Sequence, residues 1–200
     1  MVASEEPRVV ASTSFDCPGG VHCGRFPASA IFSLGQDMLV GDNKFNFWLA
    51  PQEKAGAEQG FTLDLGSVQN AVGVRLKNTH NRQFRDRGTK RFRLLGSSRS
   101  SSGPWQTILE AKLKDSRQQK SPPVQKLLFE NPLVVRFVKF ELLEFWGDGG
   151  GLQHFSVLTE GDAGDCFTWE PTSGFTKSLT SYKINHPGVR QPKKGGDYAL

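Results

Sequence analysis

Hydrophobic and polar residues alternate with a period of two in several short runs of this chain. The clearest run spans residues 72–77, VGVRLK, in which every second side chain is apolar. Phe92 and Leu94 resume the alternation after an intervening polar segment. A period of two gives a β-strand one buried and one solvated face. The pattern therefore predicts two strands that flank a long polar loop.

The predicted loop, Asn78 to Gly88, is dense in side chains that form hydrogen bonds. Its eleven positions hold eight of them: Asn78, His80, Asn81, Arg82, Gln83, Arg85, Asp86 and Arg87. A segment this polar belongs at the surface, and ordering its long side chains costs conformational entropy. Two explanations for an ordered loop are open. One is contact with a ligand, and the other is an internal hydrogen-bond network built from Asn78, Asp86, Arg87 and Thr89.

Six further runs of apolar or alternating residues predict the other strands. They cover residues 8–14, 61–65, a run that starts at 105, and residues 124–129, 134–143 and 152–158. Gly66 predicts a turn between the runs at 61–65 and 72–77. The sequence has no convincing amphipathic helix. About eight short strands separated by turn signals predict an all-β sandwich with few or no helices.

A shift in composition near residue 160 predicts a domain boundary. Residues 1–7 are polar and are expected to form a flexible N-terminus, whereas residues 8–159 contain the predicted strands. From residue 160 onward Gly, Asp, Ser, Thr, Pro and Lys dominate, with scattered aromatic residues. We expect residues 160–200 to form a tail or linker that is partly disordered.

Positive charge is concentrated around the predicted polar loop. The formal net charge is +5, and the nine Lys and Arg residues from Arg75 to Arg99 face only one acid, Asp86. Such a cluster is either a solvated strand face or a site for phosphate, sulfate or anionic headgroups. No recognised nucleic-acid motif accompanies it, so we expect no nucleic-acid partner.

The cysteines and the N-terminal sequence leave the cellular compartment open. Cys17, Cys23 and Cys166 make an odd number, so at least one thiol is free or paired with another chain. A disulfide between the two ends of the chain and three unpaired thiols both fit this number. The N-terminus does not resemble a signal peptide, and no apolar run is long enough to span a bilayer. As written, the chain is expected to be cytoplasmic, whereas within a longer secreted protein it would be extracellular.

The segment at 35–52 places oxygen donors close to aromatic residues. Asp37, Asp42 and Asn43 offer the hard oxygen ligands that calcium prefers. Their spacing is not that of an EF-hand, so solvated turn residues are the alternative interpretation. Trp48 in the same segment is expected in the hydrophobic core.

Familiar catalytic motifs are missing from the sequence. It contains no nucleophile elbow, zinc-protease helix, phosphate-binding loop or dinucleotide fingerprint. The four histidines are scattered at positions 22, 80, 154 and 186. We therefore expect no enzymatic activity from this chain alone.

Several phrases, taken in order, resemble one known family. They are ASTSF, ASAIF, FWLAP, FTLDLG, VGVRL, RGTKRFRLLGS, GPWQTIL and RFVKFELLEFWGDGGGLQHFSVL, within a span from Arg8 to Leu158. Their order and spacing are similar to those of discoidin, or coagulation factor V/VIII (F5/8) type C, domains. The resemblance implies a galactose-binding-like jelly-roll β-sandwich. It also implies a non-catalytic module whose loops at one end bind glycans, phospholipid headgroups or proteins, often beside a structural calcium ion.

The resemblance places the ligand site at three loops, which correspond here to residues 37–51, 78–88 and 145–151. Many sugar-binding members combine hydrogen bonds from His, Arg and Asn with an aromatic ring that stacks on a sugar face. The matching residues are Asn78, His80, Asn81 and Arg82 for the polar half, and Phe145 or Trp146 for the apolar half.

The expected function is carbohydrate binding in cell adhesion or targeting, with a glycan or glycoprotein as the partner. An intracellular protein-interaction scaffold of the same fold is one alternative. A binder of sulfated glycans or phospholipid headgroups is another, and it would make peripheral contact with a membrane. The sequence shows no long hydrophobic spikes for membrane insertion, which favours a glycan over a lipid.

Overall fold

The structure is a computed structural model that describes residues 6–16, 22, 24–41, 43–160 and 162. Its described residues contain seven β-strands and one short 3-10 helix. The strands are β1 (Arg8–Ser12), β2 (Trp48–Leu49), β3 (Gly60–Asn78), β4 (Thr89–Ser97), β5 (Gln106–Lys112), β6 (Val124–Phe145) and β7 (Gly151–Thr159). The helix is Ala28–Phe32. The predicted all-β class is confirmed.

Two strands are longer than the sequence pattern predicts. The runs at 61–65 and 72–77 form one strand, β3, and the runs at 124–129 and 134–143 form another, β6. The predicted turn at Gly66 is wrong, because Gly66 has a φ of 80° and lies where the pairing of β3 with β6 shifts register. A β-bulge admits such a residue and bends a strand without ending it. The described residues therefore form seven strands rather than about eight.

β3 and β6 are the central pair of the sheet. The strand order is β2-β7-β3-β6-β4-β5, with β1 paired to β3, and every pair is antiparallel. Residues 61–64 of β3 pair with β1, whereas residues 71–78 pair with β7. Because β3 and β6 bend at their register shifts, each contributes to both layers of a jelly-roll sandwich.

Aromatic side chains fill the space between the layers. Five of them are at most 2% exposed: Trp48, Phe61, Phe92, Phe140 and Phe155. Phe140 stacks on Phe61 with ring centroids 4.9 Å apart and on Phe92 at 5.1 Å. The Trp48 indole N–H donates to the Thr13 carbonyl at 2.7 Å, as a buried indole requires. The prediction that Trp48 belongs to the core is confirmed.

β7 ends at Thr159, next to the predicted domain boundary. The described residues all fall in one unit, Met1–Phe167, and the second unit, Thr168–Leu200, lies outside them. The predicted flexibility of residues 1–7 and of the tail from 160 falls mostly on positions outside the described residues, so both stay predictions. The three cysteines also lie outside them. Within the described ranges, no helix is long and apolar enough to cross a bilayer.

Candidate ligand-binding loops

Three segments meet at the end of the sandwich where β3 ends and β4 begins. Residues 79–88, called the polar loop below, connect β3 to β4, and residues 146–150 connect β6 to β7. The third segment precedes β2. Its Asp37 accepts from the Thr79 hydroxyl at 2.6 Å, while the Gly88 N–H donates to the Gly149 carbonyl at 3.0 Å. The three loops implied by the resemblance are therefore in contact, and we call this region the loop end.

Asn78 and Thr89 close the base of the polar loop. The Asn78 amide donates to the Thr89 carbonyl and accepts from the Thr89 N–H, each at 2.9 Å. The Thr89 hydroxyl donates to the Gly151 carbonyl at 2.9 Å, which ties the base to β7. Asn78 is only 1% exposed, and both the N–H and the oxygen of its side-chain amide bond to Thr89. Its side chain therefore belongs to the architecture rather than to a ligand-contacting surface.

A buried carboxylate anchors the first residues of the polar loop. Asp37 Oδ2 accepts from the Thr79 hydroxyl at 2.6 Å and from the His80 N–H at 3.1 Å, and it lies 3.2 Å from His80 Nδ1. On the other side of the ring, His80 Nε2 lies 3.3 Å from the Lys120 carbonyl. His80 therefore links two further segments to the polar loop and is itself only 9% exposed.

Asp37 and His80 shift each other's pKa. The hydrogen bond to Asp37 raises the pKa of His80 above its ordinary value, although burial of the ring opposes this. Burial alone would raise the pKa of Asp37, but hydrogen bonds from His80 and Thr79 outweigh it, and the pKa is lowered. Both shifts favour the charged forms, so the contact is an ion pair below the raised pKa of His80.

The structure does not test the predicted calcium site, because one of its three ligands lies outside the described residues. Asp37 is already bonded to His80 and Thr79, and Asn43 is an exposed turn residue with a φ of 58°. Asp42 lies outside the described residues. In the ranges that are described, no three His, Cys, Asp or Glu side chains lie together as a metal ion would need. Calcium binding at Asp37, Asp42 and Asn43 stays a prediction.

Three residues of the polar loop have left-handed backbone conformations. Asn81, Arg82 and Arg85 have φ angles of 58°, 58° and 53°. Such conformations cost free energy in residues that carry a side chain, so surrounding contacts must hold them. The Asn81 amide donates to Asp86 Oδ1 at 2.8 Å, and its N–H donates to the Thr79 hydroxyl at 3.0 Å. Internal hydrogen bonds therefore hold Asn81 in its left-handed conformation.

Arg87 is a buried cation that joins the polar loop to residues 146–150. Its guanidinium lies 4.9 Å from the Phe15 ring centroid, and Nη1 donates to the Asp148 carbonyl at 3.3 Å. The residue is 4% exposed, and this burial lowers its pKa. The internal network predicted from the sequence, with Asn78, Asp86, Arg87 and Thr89 as members, is thereby confirmed.

The exposed face of the polar loop carries an aromatic ring between basic side chains. Phe84 is 65% exposed, and its N–H donates to the Asn81 carbonyl at 3.2 Å, which fixes the turn. The Arg82 guanidinium lies 5.1 Å from the Phe45 ring centroid, and Arg85 donates at 3.1 Å to a carbonyl of the β5–β6 connection. Phe84 was not among the site residues predicted from the sequence. The available signal was a lone phenylalanine in an otherwise polar segment.

A second aromatic group, also not predicted, supports Arg82. Phe26 stacks on Phe45 with ring centroids 4.9 Å apart, and Phe47 lies 5.3 Å from Phe45. These rings form a small hydrophobic cluster separate from the main core. The guanidinium groups of Arg25 and Arg82 lie 5.4 and 5.1 Å from the Phe45 centroid. A cation–π contact contributes roughly 0.5–2 kcal/mol, so this cluster restrains both arginines.

The two aromatic residues predicted for the site lie on another flank of the loop end. Phe145 is partly buried against the main core. Trp146 donates its indole N–H to a backbone carbonyl just after β5, at 3.4 Å, and its ring centroid lies 5.1 and 5.7 Å from the Lys90 and Lys112 ammonium groups. The ring of Trp146 therefore contacts the β4–β5 side of the sandwich. Its backbone N–H donates to the Gly88 carbonyl of the polar loop at 2.7 Å, and contact of Phe145 or Trp146 with a sugar stays a prediction.

The three basic residues of β4 are paired with acids. Glu144 forms ion pairs with Lys90 and Arg91, each at 2.8 Å, and Glu141 forms one with Arg93 at 2.6 Å. These contacts match the solvated strand face, which was one of the two interpretations of the basic cluster. Because each cation has a carboxylate partner, β4 offers little net positive charge to an anionic ligand.

The segment before β2 exposes more apolar surface than the sequence led us to expect. Five of its side chains are 39–58% exposed: Phe32, Leu34, Met38, Leu39 and Val40. The last three belong to a hairpin, since the Val40 N–H donates to the Lys44 carbonyl at 2.8 Å and the Asn46 N–H to the Met38 carbonyl at 3.0 Å. We call residues 38–41 and 43–46 the apolar hairpin. It projects apolar side chains where none were expected from the sequence.

Several solved structures share this fold at low sequence identity. The family 32 CBM from Clostridium perfringens NanJ, in complex with galactose, is 12% identical with a TM-score of 0.51, over 76% of this chain and 90% of that one. CpGH89CBM32-5 from the same species, in complex with GalNAc-beta-1,3-galactose, is 16% identical with a TM-score of 0.52, over 77% and 94%. The family 32 carbohydrate-binding module from Streptococcus pneumoniae EndoD is 14% identical with a TM-score of 0.50, over 78% and 98%. These similarities confirm the jelly-roll fold.

The solved structures show only the fold, whereas a family model assigns the chain to a family. A search of curated proteins found no match. The model of the F5/8 type C domain, in contrast, matches residues 22–157, which is more than half of the 200 residues. The match includes β2 to β6 and all three segments of the loop end. The chain therefore belongs to the F5/8 type C, or discoidin, domain family.

Proposed function

We propose that this domain is a non-catalytic module that binds carbohydrate at the loop end, in adhesion or targeting. The observation that carries the proposal is the exposed face of the polar loop. There Phe84, 65% exposed, projects from a turn that internal hydrogen bonds already hold in place. Exposure of a large apolar ring to water is unfavourable. An ordered loop that exposes a phenylalanine is therefore suited to contact a partner.

The residues around Phe84 suit a sugar in particular. The apolar C–H face of a hexose packs on an aromatic ring, while its hydroxyl groups need directional donors and acceptors. Asn81, Arg82 and Arg85 supply such groups on the same turn, and each has a left-handed backbone conformation. A site that is already ordered loses less conformational entropy when the ligand binds.

His80 and Asn78 have a supporting role in this proposal. Both are at most 9% exposed, and their polar atoms bond to Asp37, Thr89 and the Lys120 carbonyl. The ligand contacts are therefore assigned to Asn81, Arg82, Phe84 and Arg85. The complexes of similar fold with galactose and with GalNAc-beta-1,3-galactose make neutral hexoses the first ligands to try.

The Asp37–His80 pair supports the non-catalytic part of the proposal. A His–Asp pair serves catalysis when the far nitrogen of the histidine accepts a proton from a nucleophile. Here His80 Nε2 lies 3.3 Å from a backbone carbonyl, and the neighbouring Thr79 hydroxyl donates to Asp37 instead. Within the described hydrogen bonds, no nucleophile is positioned on His80.

A glycan array tests the proposal on the 200-residue chain. We expect Phe84→Ala combined with Arg82→Ala to weaken binding of the best wild-type ligand by at least about tenfold, as loss of a central interface anchor does. Leu128→Ala, which truncates an apolar side chain that is 56% exposed on β6, is the matched control and retains wild-type binding. A correctly folded double variant that binds as well as wild type would eliminate this site.

A second candidate, peripheral binding to a membrane, is favoured by the apolar hairpin. Met38, Leu39 and Val40 project beside the cations Arg25 and Arg82, a combination that binds anionic lipid surfaces. Cosedimentation with phosphatidylserine vesicles at low salt tests it. We expect Met38→Asp plus Leu39→Asp to abolish cosedimentation if this candidate is correct, whereas failure of the wild-type domain to cosediment rejects it.

The protein-interaction alternative stays a prediction that pull-down from lysate would test.

A further inference from the structure

A concave site lies at the end of the sandwich opposite the loop end. It is a groove of about 290 Å³ between the β4–β5 hairpin and residues 133–135 of β6. β4 begins at the loop end and finishes at this groove, so the two are separated by roughly 26 Å, at about 3.3 Å per strand residue. We call it the β4–β5 groove, and it shares no residue with the loop end.

Four side chains that line the β4–β5 groove carry polar groups without protein partners, and two of them, Arg99 and Trp105, can only donate. The Arg99 guanidinium, the Trp105 indole N–H, the Ser98 hydroxyl and the Gln106 amide all belong to residues that line it. None of these side-chain groups takes part in a hydrogen bond or ion pair with another described residue. No Asp or Glu lines the groove. This contrasts with β4, where each basic side chain is paired with a carboxylate.

The hairpin that carries Arg99 is held in a defined shape. The Arg99 N–H donates to the Ser97 hydroxyl at 3.2 Å, and the Ser100 hydroxyl donates to the Gly103 carbonyl at 2.7 Å. Ser97 is 4% exposed. These bonds shape the backbone of the hairpin at Arg99, on one side of the groove.

The rest of the groove is apolar and small. Ile108 and Val134 contribute aliphatic walls, and Val134 is 62% exposed. The volume of about 290 Å³ lies at the lower limit of ligand pockets, which span roughly 300–1,000 Å³. It accommodates a single ring rather than an oligosaccharide chain.

We propose that the β4–β5 groove binds a single ring that carries a carboxylate. Arg99 pairs with the carboxylate, as guanidinium groups do in a forked geometry, and the Trp105 N–H donates a further hydrogen bond. The ring packs against Ile108 and Val134. Both an acidic sugar such as a hexuronate and an aromatic acid have this chemistry. The proposal is independent of carbohydrate binding at the loop end.

The test is a titration of the ¹⁵N-labelled 200-residue chain followed by NMR of the indole N–H groups. The probes are glucuronate, benzoate and glucose. The Trp48 and Trp146 indole N–H groups are internal controls, because both donate to backbone carbonyls away from the groove. Trp105→Phe assigns the Trp105 signal.

We expect at least one of the two carboxylates to shift the Trp105 signal, with a dissociation constant on the order of 1 mM for so small a ligand. Arg99→Gln should weaken this binding by about tenfold, as loss of a charged hydrogen bond does. Arg82→Ala at the loop end should leave it unchanged. Response to glucuronate identifies an acidic sugar, and response to benzoate alone identifies an aromatic acid.

Two results would overturn the proposal. One is a Trp105 signal that neither carboxylate shifts at concentrations of about 20 mM, well above the expected dissociation constant. The other is an equal response to glucose and to the carboxylates that Arg99→Gln does not reduce. Neither result bears on the glycan-array test, which reports on the loop end alone.

Discussion

Asp37 and His80 are the titratable residues that determine how the loop end responds to pH. The folded-state pKa of His80 is raised above 6.5, so its contribution to stability is complete below 6.5 and is lost as pH rises through the raised value. The folded-state pKa of Asp37 is lowered below 3.8, so its contribution is present above 3.8 and is lost as pH falls through the lowered value. The ion pair therefore stabilises the polar loop between these two limits.

The titration of His80 provides a direct check on this pair. We expect NMR of the imidazole protons to show His80 titrating above 6.5 in the wild type, and Asp37→Asn to lower its pKa because the charge partner is lost. His154 is the control in the same spectrum, since burial lowers its pKa below 6.5. A His80 that titrates below His154 in the wild type would show that the ion pair does not form.

Asn78 is a second residue whose structural role is open to measurement. Asn78→Ala leaves the Thr89 N–H and carbonyl without their partner in a buried position, and we expect a loss of roughly 2–4 kcal/mol in the free energy of unfolding. Asn70→Ala on the same strand is the control, because Asn70 is exposed and its loss should change stability by less than about 0.5 kcal/mol. Urea unfolding measures both, and equal effects would mean that Asn78 does not close the loop.

The strands and the loops they carry differ in how far the sequence pattern predicts them. Alternation predicts β3 and β4 on either side of the polar loop because their inward residues form the core. It does not predict that β3 continues through Gly66, since a glycine is equally compatible with a turn and with a bulge. It also does not indicate that Phe145 packs against the main core while the ring of Trp146 lies beside two lysines. Ring positions depend on contacts with residues distant in sequence, such as Lys90 and Lys112 for Trp146.

Two phenylalanines in different elements illustrate the division between core and surface. Phe140 on β6 stacks between Phe61 and Phe92, and Phe140→Ala should lower the free energy of unfolding by about 3–5 kcal/mol. Phe84 on the polar loop is 65% exposed, and Phe84→Ala should change it by less than about 0.5 kcal/mol. Denaturant unfolding of the two variants compares them. A Phe84 variant as unstable as the Phe140 variant would mean that Phe84 serves the fold rather than a ligand.

At the scale of the whole molecule, the described residues form a jelly roll with distinct surfaces at its two ends. The loop end combines a preordered polar turn with an exposed ring, whereas the β4–β5 groove has unpaired donors and aliphatic walls. The sequence predicted the family and the three contacting loops, because ordered phrases along the strands carry them. It did not predict the groove, since Arg99 and Trp105 are brought to Val134 only by the pairing of β4 with β6.

The charge distribution over the molecule predicts how binding at the loop end depends on salt. Because a neutral glycan carries no charge for Arg82 and Arg85 to attract, its affinity should change by less than about twofold between roughly 0.1 M and 1 M salt. Calorimetric titration at the two concentrations measures this. A steep loss of affinity with salt would favour the anionic-ligand alternative.

Mapping the best array glycan onto the ¹⁵N-labelled domain by NMR tests the central claim most directly. The proposal predicts that the backbone amides of residues 81–86 and the side-chain amide of Asn81 shift on titration, and that Phe84→Ala abolishes these shifts while the spectrum of the core stays unchanged. Shifts confined to residues around Trp146, or to the β4–β5 groove, with residues 81–86 unaffected would contradict it.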